Sequence, residues 1–194
     1  DYEGDYHCTA SEVKAMLRDQ SEDTSDMKVL SNMPMSAILA ESVEGYRNRH
    51  SAYKPGHPWV NLPYEEYLRQ LGAAAISQED GKLHPTAAGL LMFGEECSIV
   101  REFPEYFLDY REMLDPNMRW TDRLQSSSGE WTGNVFDFYF RVYNKLIQVL
   151  KVPFRIEGGN RIDDTPMHKA LREALANCLV NTDYFLPHAV VIKI

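Results

Sequence analysis

Residues 165–194 run TPMHKALREALANCLVNTDYFLPHAVVIKI, and their spacing predicts an amphipathic helix, a short turn and the start of a buried strand. With Glu173 placed at zero on a helical wheel of about 100° per residue, Asn177 and Asn181 share its stripe, since positions four apart stack along a helix. Leu171, Leu175 and Cys178 fall on the opposite face, with Ala170 and Ala174 to one side. Such a helix buries one side and offers a carboxylate and two carboxamides on the other.

The elements before it supply something to bury against. From Trp131 to Leu150, Val135, Phe138, Tyr139, Val142, Leu146 and Val149 form one helical stripe, and Phe136, Phe140, Tyr143 and Ile147 form another. A helix apolar on two sides is covered on two sides, so it is expected at the centre of the core. Tyr106, Leu108 and Tyr110 alternate with Phe107, Asp109 and Arg111, which is a strand pattern, and Trp120 to Ser126 is read as a strand paired with it. VPFRIEG, residues 152–158, is read as a further strand ending in a turn at GGN. Residues 99–194 are therefore expected to form a small sheet packed on long helices.

Upstream, residues 36–98 read as a helical subdomain. Ile38, Leu39, Val43 and Tyr46 keep helical period between Ser36 and His50, and AYKPGHPW breaks the pattern. Pro63 suits the first position of a helix whose buried face is Tyr64, Tyr67, Leu68 and Leu71. QEDGKL is a turn with Asp80-Gly81 at its tip, and HPTAAGLLMFG is a short helix started by Pro85 and ended near Gly94. Helix, turn and helix of this length are compatible with a winged-helix-like unit, although the second helix lacks the Lys and Arg that read DNA. Residues 1–35 read as an N-terminal arm or linker, with Thr9 and Glu12 at capping-box spacing ahead of a short helix. The expected class is α+β.

Bulk properties exclude several functions. The net charge of -9 argues against a nucleic-acid binder that lives on phosphate contacts. Cys8, Cys97 and Cys178 are far apart, odd in number and without C-x-x-C spacing, which points to a reducing, cytoplasmic setting rather than a disulfide framework. No apolar run is long enough for a membrane span, which needs about 18 residues or more. The histidines at 7, 50, 57, 84, 168 and 188 show no H-x-x-x-H spacing, so a zinc site is not expected. There is no Walker loop, no G-x-G-x-x-G and no G-x-S-x-G elbow. SSSG at 126–129 and EGGN at 157–160 are turn signals. The chain opens on Asp1 and stops within a strand-like run, as an excised piece of a longer protein would.

Two readings of the polar stripe stand side by side. Polar residues opposite a leucine face are what any solvated surface helix shows. Yet Asn prefers caps and turns to helix interiors, and a Glu four residues before an Asn suits a metal-nucleotide site. The carboxylate can act as general base toward water and the carboxamide oxygen can ligate magnesium.

The run P-x-H-K-ALREALANCLVNTDY followed by VVIKI resembles a stretch of the RecG-helicase-related, Schlafen/Alba-type transcriptional regulators of bacteria. DGKLHPTAAGLLMFGEE is similar to an earlier segment of that family, and FPEYFLDYRE, RWTDRLQSSSGEWTGNVFDFY and PFRIEG fit the region between. The resemblance runs from about Tyr46 onward. It implies an upstream Alba-like, DNA-binding domain absent from this chain, and a C-terminal part similar to the GHKL ATPases, of which residues 165–194 would be the first helix and strand.

In that class the first helix carries a catalytic Glu and, four residues on, a magnesium-binding Asn. The resemblance thus implies Glu173 as general base, Asn177 as magnesium ligand, and Asn177 and Asn181 as nucleotide-binding positions, with ATP and Mg as cofactors of the full-length protein. The family's His-Arg before Asp-Tyr is Asn181-Thr182 here, and the family's glycine-rich nucleotide segments would lie beyond Ile194. The expected function is a structural or regulatory part of such a regulator with an incomplete nucleotide site. The alternatives are an ATP-hydrolysing enzyme in full-length form, and an interaction module using aromatic residues around Trp120 and Trp131. Self-association into a homo-oligomer is also expected.

Overall fold

Thr9 and Glu12 form the expected capping box. The Thr9 N–H donates to Glu12 Oε2 at 2.6 Å and the Glu12 N–H donates to Thr9 Oγ1 at 3.3 Å. This opens α1 (Ala10–Asp19) in a computed structural model that describes residues 7–19, 24–149, 155–157, 160–162 and 165–194. The described chain is α+β. After α1 come 3-10 turns at Ser25–Met27 and Met35–Ala37, then α2 (Ala40–Tyr53), a 3-10 turn at Pro58–Asn61, and α3 (Tyr64–Gln70). A short hairpin of β1 (Ala74–Ile76) and β2 (Leu83–Pro85) leads into α4 (Ala87–Phe93) and α5 (Glu96–Glu102). β3 (Leu108–Glu112), β4 (Asp122–Gln125), α6 (Val135–Val149), β5 (Arg155–Glu157), β6 (Asn160–Ile162), α7 (Pro166–Val180) and β7 (Val190–Lys193) complete the order.

β3 is the middle strand of the largest sheet. β4 pairs with it antiparallel, Tyr110 opposite Leu124, and β7 pairs parallel on its other side, Tyr110 opposite Ile192. Period-2 alternation sends Leu108, Tyr110, Leu124 and Val190 into the core, each 9% exposed or less. β5 and β6 pair antiparallel with Glu157 opposite Asn160. Residues 152–154 of the expected VPFRIEG strand, and Gly158 and Gly159 of its turn, lie outside the described residues.

α6 is covered on two sides, as its double stripe requires. Phe138, Val142 and Leu146 join Leu90, Ile99, Phe103, Tyr110 and Leu175 in one apolar cluster. Phe136, two residues before Phe138 and so about 200° round the helix, joins Val43, Tyr67, Leu68 and Phe93 in a second. α4 also serves both clusters, through Leu90 and Leu91 on one side and Phe93 on the other.

Several boundaries move, each for a local reason. α6 starts at Val135 rather than Trp131 because Gly133 takes φ +76 and Asn134 then caps the helix, its Oδ1 accepting from the Asp137 N–H at 2.9 Å. Pro85 ends β2 opposite Ala74, and Thr86 starts α4 instead, its Oγ1 accepting from the Gly89 N–H at 3.0 Å. α2 starts at Ala40, since residues 35–37 form a 3-10 turn and Ile38 bridges to Gly94. Within the segment read as an arm, Leu30 and Met33 are buried in the main cluster, and Val29 bridges to Thr86. The Asp80-Gly81 tip has the expected form, with Gly81 at φ +70.

Candidate functional site

α7 begins with a capping box that the residue types conceal. Pro166 follows the Thr165 cap, and His168 stands where Glu or Gln usually does. The Thr165 N–H donates to His168 Nδ1 at 3.3 Å, and Thr165 Oγ1 lies 2.8 Å from the same nitrogen. His168 is buried, and with Leu175 and Leu179 it forms the inner face of the helix. These three cluster about 200–240° from Glu173 on the wheel, while Cys178 lies nearer 140° and flanks the face. Cys178 is accordingly exposed rather than buried. Arg172 Nη1 donates to Tyr143 Oη at 3.0 Å, which ties α7 to α6 beside the apolar contact.

Glu173 and Asn177 point outward, one turn apart, and both are exposed. Neither side chain makes a hydrogen bond among the described residues. Asn181 does not continue the stripe as a helical residue. It is the C-cap, and both its backbone N–H (3.1 Å) and its Nδ2 (2.9 Å) donate to the Asn177 carbonyl. That is the cap role Asn favours. The turn that follows is fastened by Thr182 Oγ1 donating to the Cys178 carbonyl at 2.7 Å and Tyr184 Oη donating to the Leu179 carbonyl at 2.9 Å. No group of three or more His, Cys, Asp or Glu among the described residues is placed to hold a metal ion. An exposed carboxylate four residues before an exposed carboxamide can contact a hydrated cation from one side only. α7 therefore presents two ligand-type groups on an open face, not an enclosed pocket.

The two tryptophans flagged in the sequence have different surroundings. Trp131 packs on Phe138 with ring centroids 6.0 Å apart, and its Nε1 donates to the Gln125 carbonyl at 3.0 Å. Trp120 is ringed by the guanidinium groups of Arg111, Arg119 and Arg123 at 4.9, 5.0 and 5.2 Å.

Sequence reasoning missed the acidic partner of two of those arginines. Asp109 is fully buried and accepts from Arg123 Nε and Nη2 and from Arg111 Nε. Burial pushes its carboxyl upward, but the hydrogen bonds and charges of Arg123 and Arg111 outweigh that, and the net direction is downward. The available signal was the strand alternation itself, which puts Asp109 and Arg111 on the face away from Leu108 and Tyr110.

Over residues 14–109 the chain matches a family described as a domain of unknown function (DUF8451). It is also similar in fold to a protein of known crystal structure. The DIP2311 protein from Corynebacterium diphtheriae superposes with a TM-score of 0.59 at 17% identity, covering 94% of this chain and 33% of that one. The chain thus spans about a third of the length of that neighbour. No curated protein matches the chain. No helix among the described residues is long and apolar enough to cross a membrane.

Proposed function

We propose that this chain is a structural or regulatory part of a RecG-like, Schlafen/Alba-type transcriptional regulator of the cytoplasm, with α7 and β7 opening a GHKL-like unit. The supporting observation is the build of α7. It buries His168, Leu175 and Leu179, turns Glu173 and Asn177 outward with no hydrogen-bond partner among the described residues, and leads into a strand parallel to β3. In this reading Glu173 is the general base toward a water and Asn177 ligates the magnesium of ATP. α7 supplies only one side of the site, so the groups holding adenine and phosphates come from elsewhere in the whole protein. DNA contact belongs to another domain, because this chain carries a net charge of -9.

Calorimetric titration of ATP with magnesium into the whole polypeptide tests this. The expected result is magnesium-dependent binding, weakened by Asn177→Ala, with any turnover abolished by Glu173→Ala. Absence of heat in the wild type sinks the nucleotide reading. Unchanged affinity and turnover in both variants would show the outer face of α7 to be solvated only. Turnover by residues 1–194 alone would contradict the incomplete site.

A further inference from the structure

The outer face of the β4-β3-β7 sheet carries a charged cluster that shares no residue with the α7 site. Strand pairing sets Arg123 opposite Arg111 and Arg111 opposite Lys193, so one row across all three strands is cationic. Like charges directly opposite one another destabilise a sheet. Asp109, in the next row, offsets that cost between Arg111 and Arg123, since it accepts from both guanidinium groups. One carboxylate for two cations still leaves a positive charge over. Arg119 and Lys193 are exposed and form no ion pair among the described residues. The neighbouring acids are turned elsewhere. Asp122 pairs with Lys145 of α6, Glu112 is buried and accepts from Tyr110 Oη, and Asp115 accepts from the Asn117 N–H and Nδ2 within its own turn. Four cations thus stand with one carboxylate on a chain whose net charge is -9.

The cluster is ordered by its aromatic centre and bordered by apolar side chains. The guanidinium groups of Arg111, Arg119 and Arg123 lie 4.9, 5.0 and 5.2 Å from the Trp120 ring centroid, which restrains three long side chains. The connection from β3 to β4 starts beside Arg111 and is fastened at its base. There the Met113 N–H donates to the Ile194 carbonyl at 2.9 Å, and the Thr121 N–H donates to the Glu112 carbonyl at 2.7 Å. Beyond that base Met113, Leu114 and Met118 turn outward, each more than half exposed.

We propose that this face docks an acidic peptide segment of a partner protein, its carboxylates on the cation row and its apolar residues against Met113, Leu114 and Met118. Charge complementarity selects the sign of the partner, and spacing selects its form. Neighbouring strands lie about 4.8 Å apart, so the backbones carrying Arg123 and Lys193 stand about 10 Å apart. A single anionic group does not reach both ends, whereas a stretch rich in Asp and Glu supplies several charges in a row. The guanidinium fork matches carboxylate geometry, as Arg123 shows on Asp109. Thioether side chains conform to varied apolar partners. A second copy of this chain, meeting the face about a two-fold axis, would set cation against cation. A nucleic-acid strand is disfavoured on two grounds. Its bases find no free ring to stack on, because Trp120 is flanked by guanidinium groups, and its further phosphates would run onto an acidic chain.

A fluorescein-labelled synthetic peptide of alternating Asp-Leu and Glu-Phe pairs, titrated with the whole polypeptide and read by anisotropy, tests this. Binding is expected at about 150 mM salt and should weaken as ionic strength rises. Arg119→Glu and Lys193→Glu are each expected to weaken it by about ten-fold, as loss of a charge-assisted contact does. Both side chains are exposed, so the variants keep the fold, which circular dichroism checks. Leu114→Ser should weaken the peptide but leave binding of an oligoglutamate unchanged. The proposal is overturned if the acidic peptide fails to bind at about 1 mM protein. Binding indifferent to both charge reversals, or equal binding of a peptide with Asn and Gln in place of its acids, also overturns it. Tighter binding of a short oligothymidylate than of the peptide, lost in Arg119→Glu, overturns the peptide assignment in favour of nucleic acid.

Discussion

Asn134 Nδ2 donates to the Gly94 carbonyl at 3.1 Å, joining the start of α6 to the end of α4 across 40 residues of chain. The same nitrogen donates to Ser42 Oγ at 3.0 Å, so one fully buried carboxamide fastens α2, α4 and α6 together. Its Oδ1 is already committed to the Asp137 N–H as a helix cap. Asn134→Ala removes the cap and strands buried groups on three elements. The expected cost is about 3 kcal/mol, from the penalty for unsatisfied buried groups and the loss of an N-cap. A urea unfolding curve measures it, and a loss under about 1 kcal/mol would show that water replaces the carboxamide.

Gly89→Ala is expected to be among the most damaging single-methyl changes in the chain. A Cβ at this position would sit 1.9 Å from the Ala73 carbonyl oxygen and 2.6 Å from its carbon, which is backbone and has no rotamer to yield. The same region is tied by the Thr86 N–H donating to the Ala73 carbonyl at 3.0 Å and Thr86 Oγ1 donating to the Gly72 carbonyl at 2.6 Å. α4 would have to lift away from both clusters it serves. The expected destabilisation is about 3 kcal/mol or more, at or above the upper end for overpacking. Circular dichroism on heating reads it, and an unchanged melting temperature would contradict the close approach.

Acid should act on the sheet through Asp109. Its folded-state carboxyl is held below the usual range, so the stability it contributes is present above its unfolded value and is lost as pH falls through the folded one. Asp109→Asn is expected to lower stability by about 2 kcal/mol at neutral pH, since a buried charge pair is broken beside half-exposed arginines. The variant should also lose less stability than the wild type between about pH 5 and pH 2. Parallel acid-unfolding curves would show the ion pair to be idle.

His84 should act in the opposite sense. Its Nδ1 lies 2.8 Å from the Met33 carbonyl oxygen and its Nε2 lies 3.0 Å from Asp80 Oδ2. The Met33 hydrogen bond, then the Asp80 one, raise its basicity above the ordinary value. A raised folded value means the contribution is complete below the unfolded value of about 6.5 and disappears as pH rises through the folded one. His84→Gln is therefore expected to cost more stability at about pH 5.5 than at about pH 9. Equal losses at both would show that the imidazole is held only as a neutral ring.

The outer face of α7 predicts little for stability. Glu173→Ala and Asn177→Ala should each shift the unfolding free energy by no more than about 0.5 kcal/mol, as exposed side chains with no hydrogen-bond partner among the described residues do. Asn181→Ala should cost more than either, because it removes the side chain that closes the helix. Any larger loss at Glu173 would reveal a contact that the helix makes within the fold.

Much of this architecture was legible in residue spacing. The double stripe of α6, the alternation of β3, its pairing with β4 and the tip at Asp80-Gly81 all follow from local periodicity and turn chemistry. The stripe of Glu173 and Asn177 was legible as well, because it depends only on the helical repeat. Asn181 escaped that logic, since a cap lies where the helix stops, and the stop is set by the turn that Thr182 and Tyr184 fasten. His168 escaped it too, because a histidine in a capping box looks like any other histidine until its ring is seen against Thr165.

The sequence by itself determined α6, α7, β3 and β4 and which of their faces are apolar, since both properties depend on neighbours within about one turn or one pleat, but it did not show the β1–β2 hairpin or α5. Only the tertiary structure decided what those faces meet. It buried Leu30 and Met33 of the apparent arm, set Gly89 against the Ala73 backbone, enclosed Asp109 between two arginines and aligned Arg123, Arg111 and Lys193 in one row across three strands. Arg111 shares β3 with Asp109, but Arg123 reaches it from β4, and the other contacts likewise bring separate elements together. Their proximity is fixed by packing, which spacing along the chain does not carry.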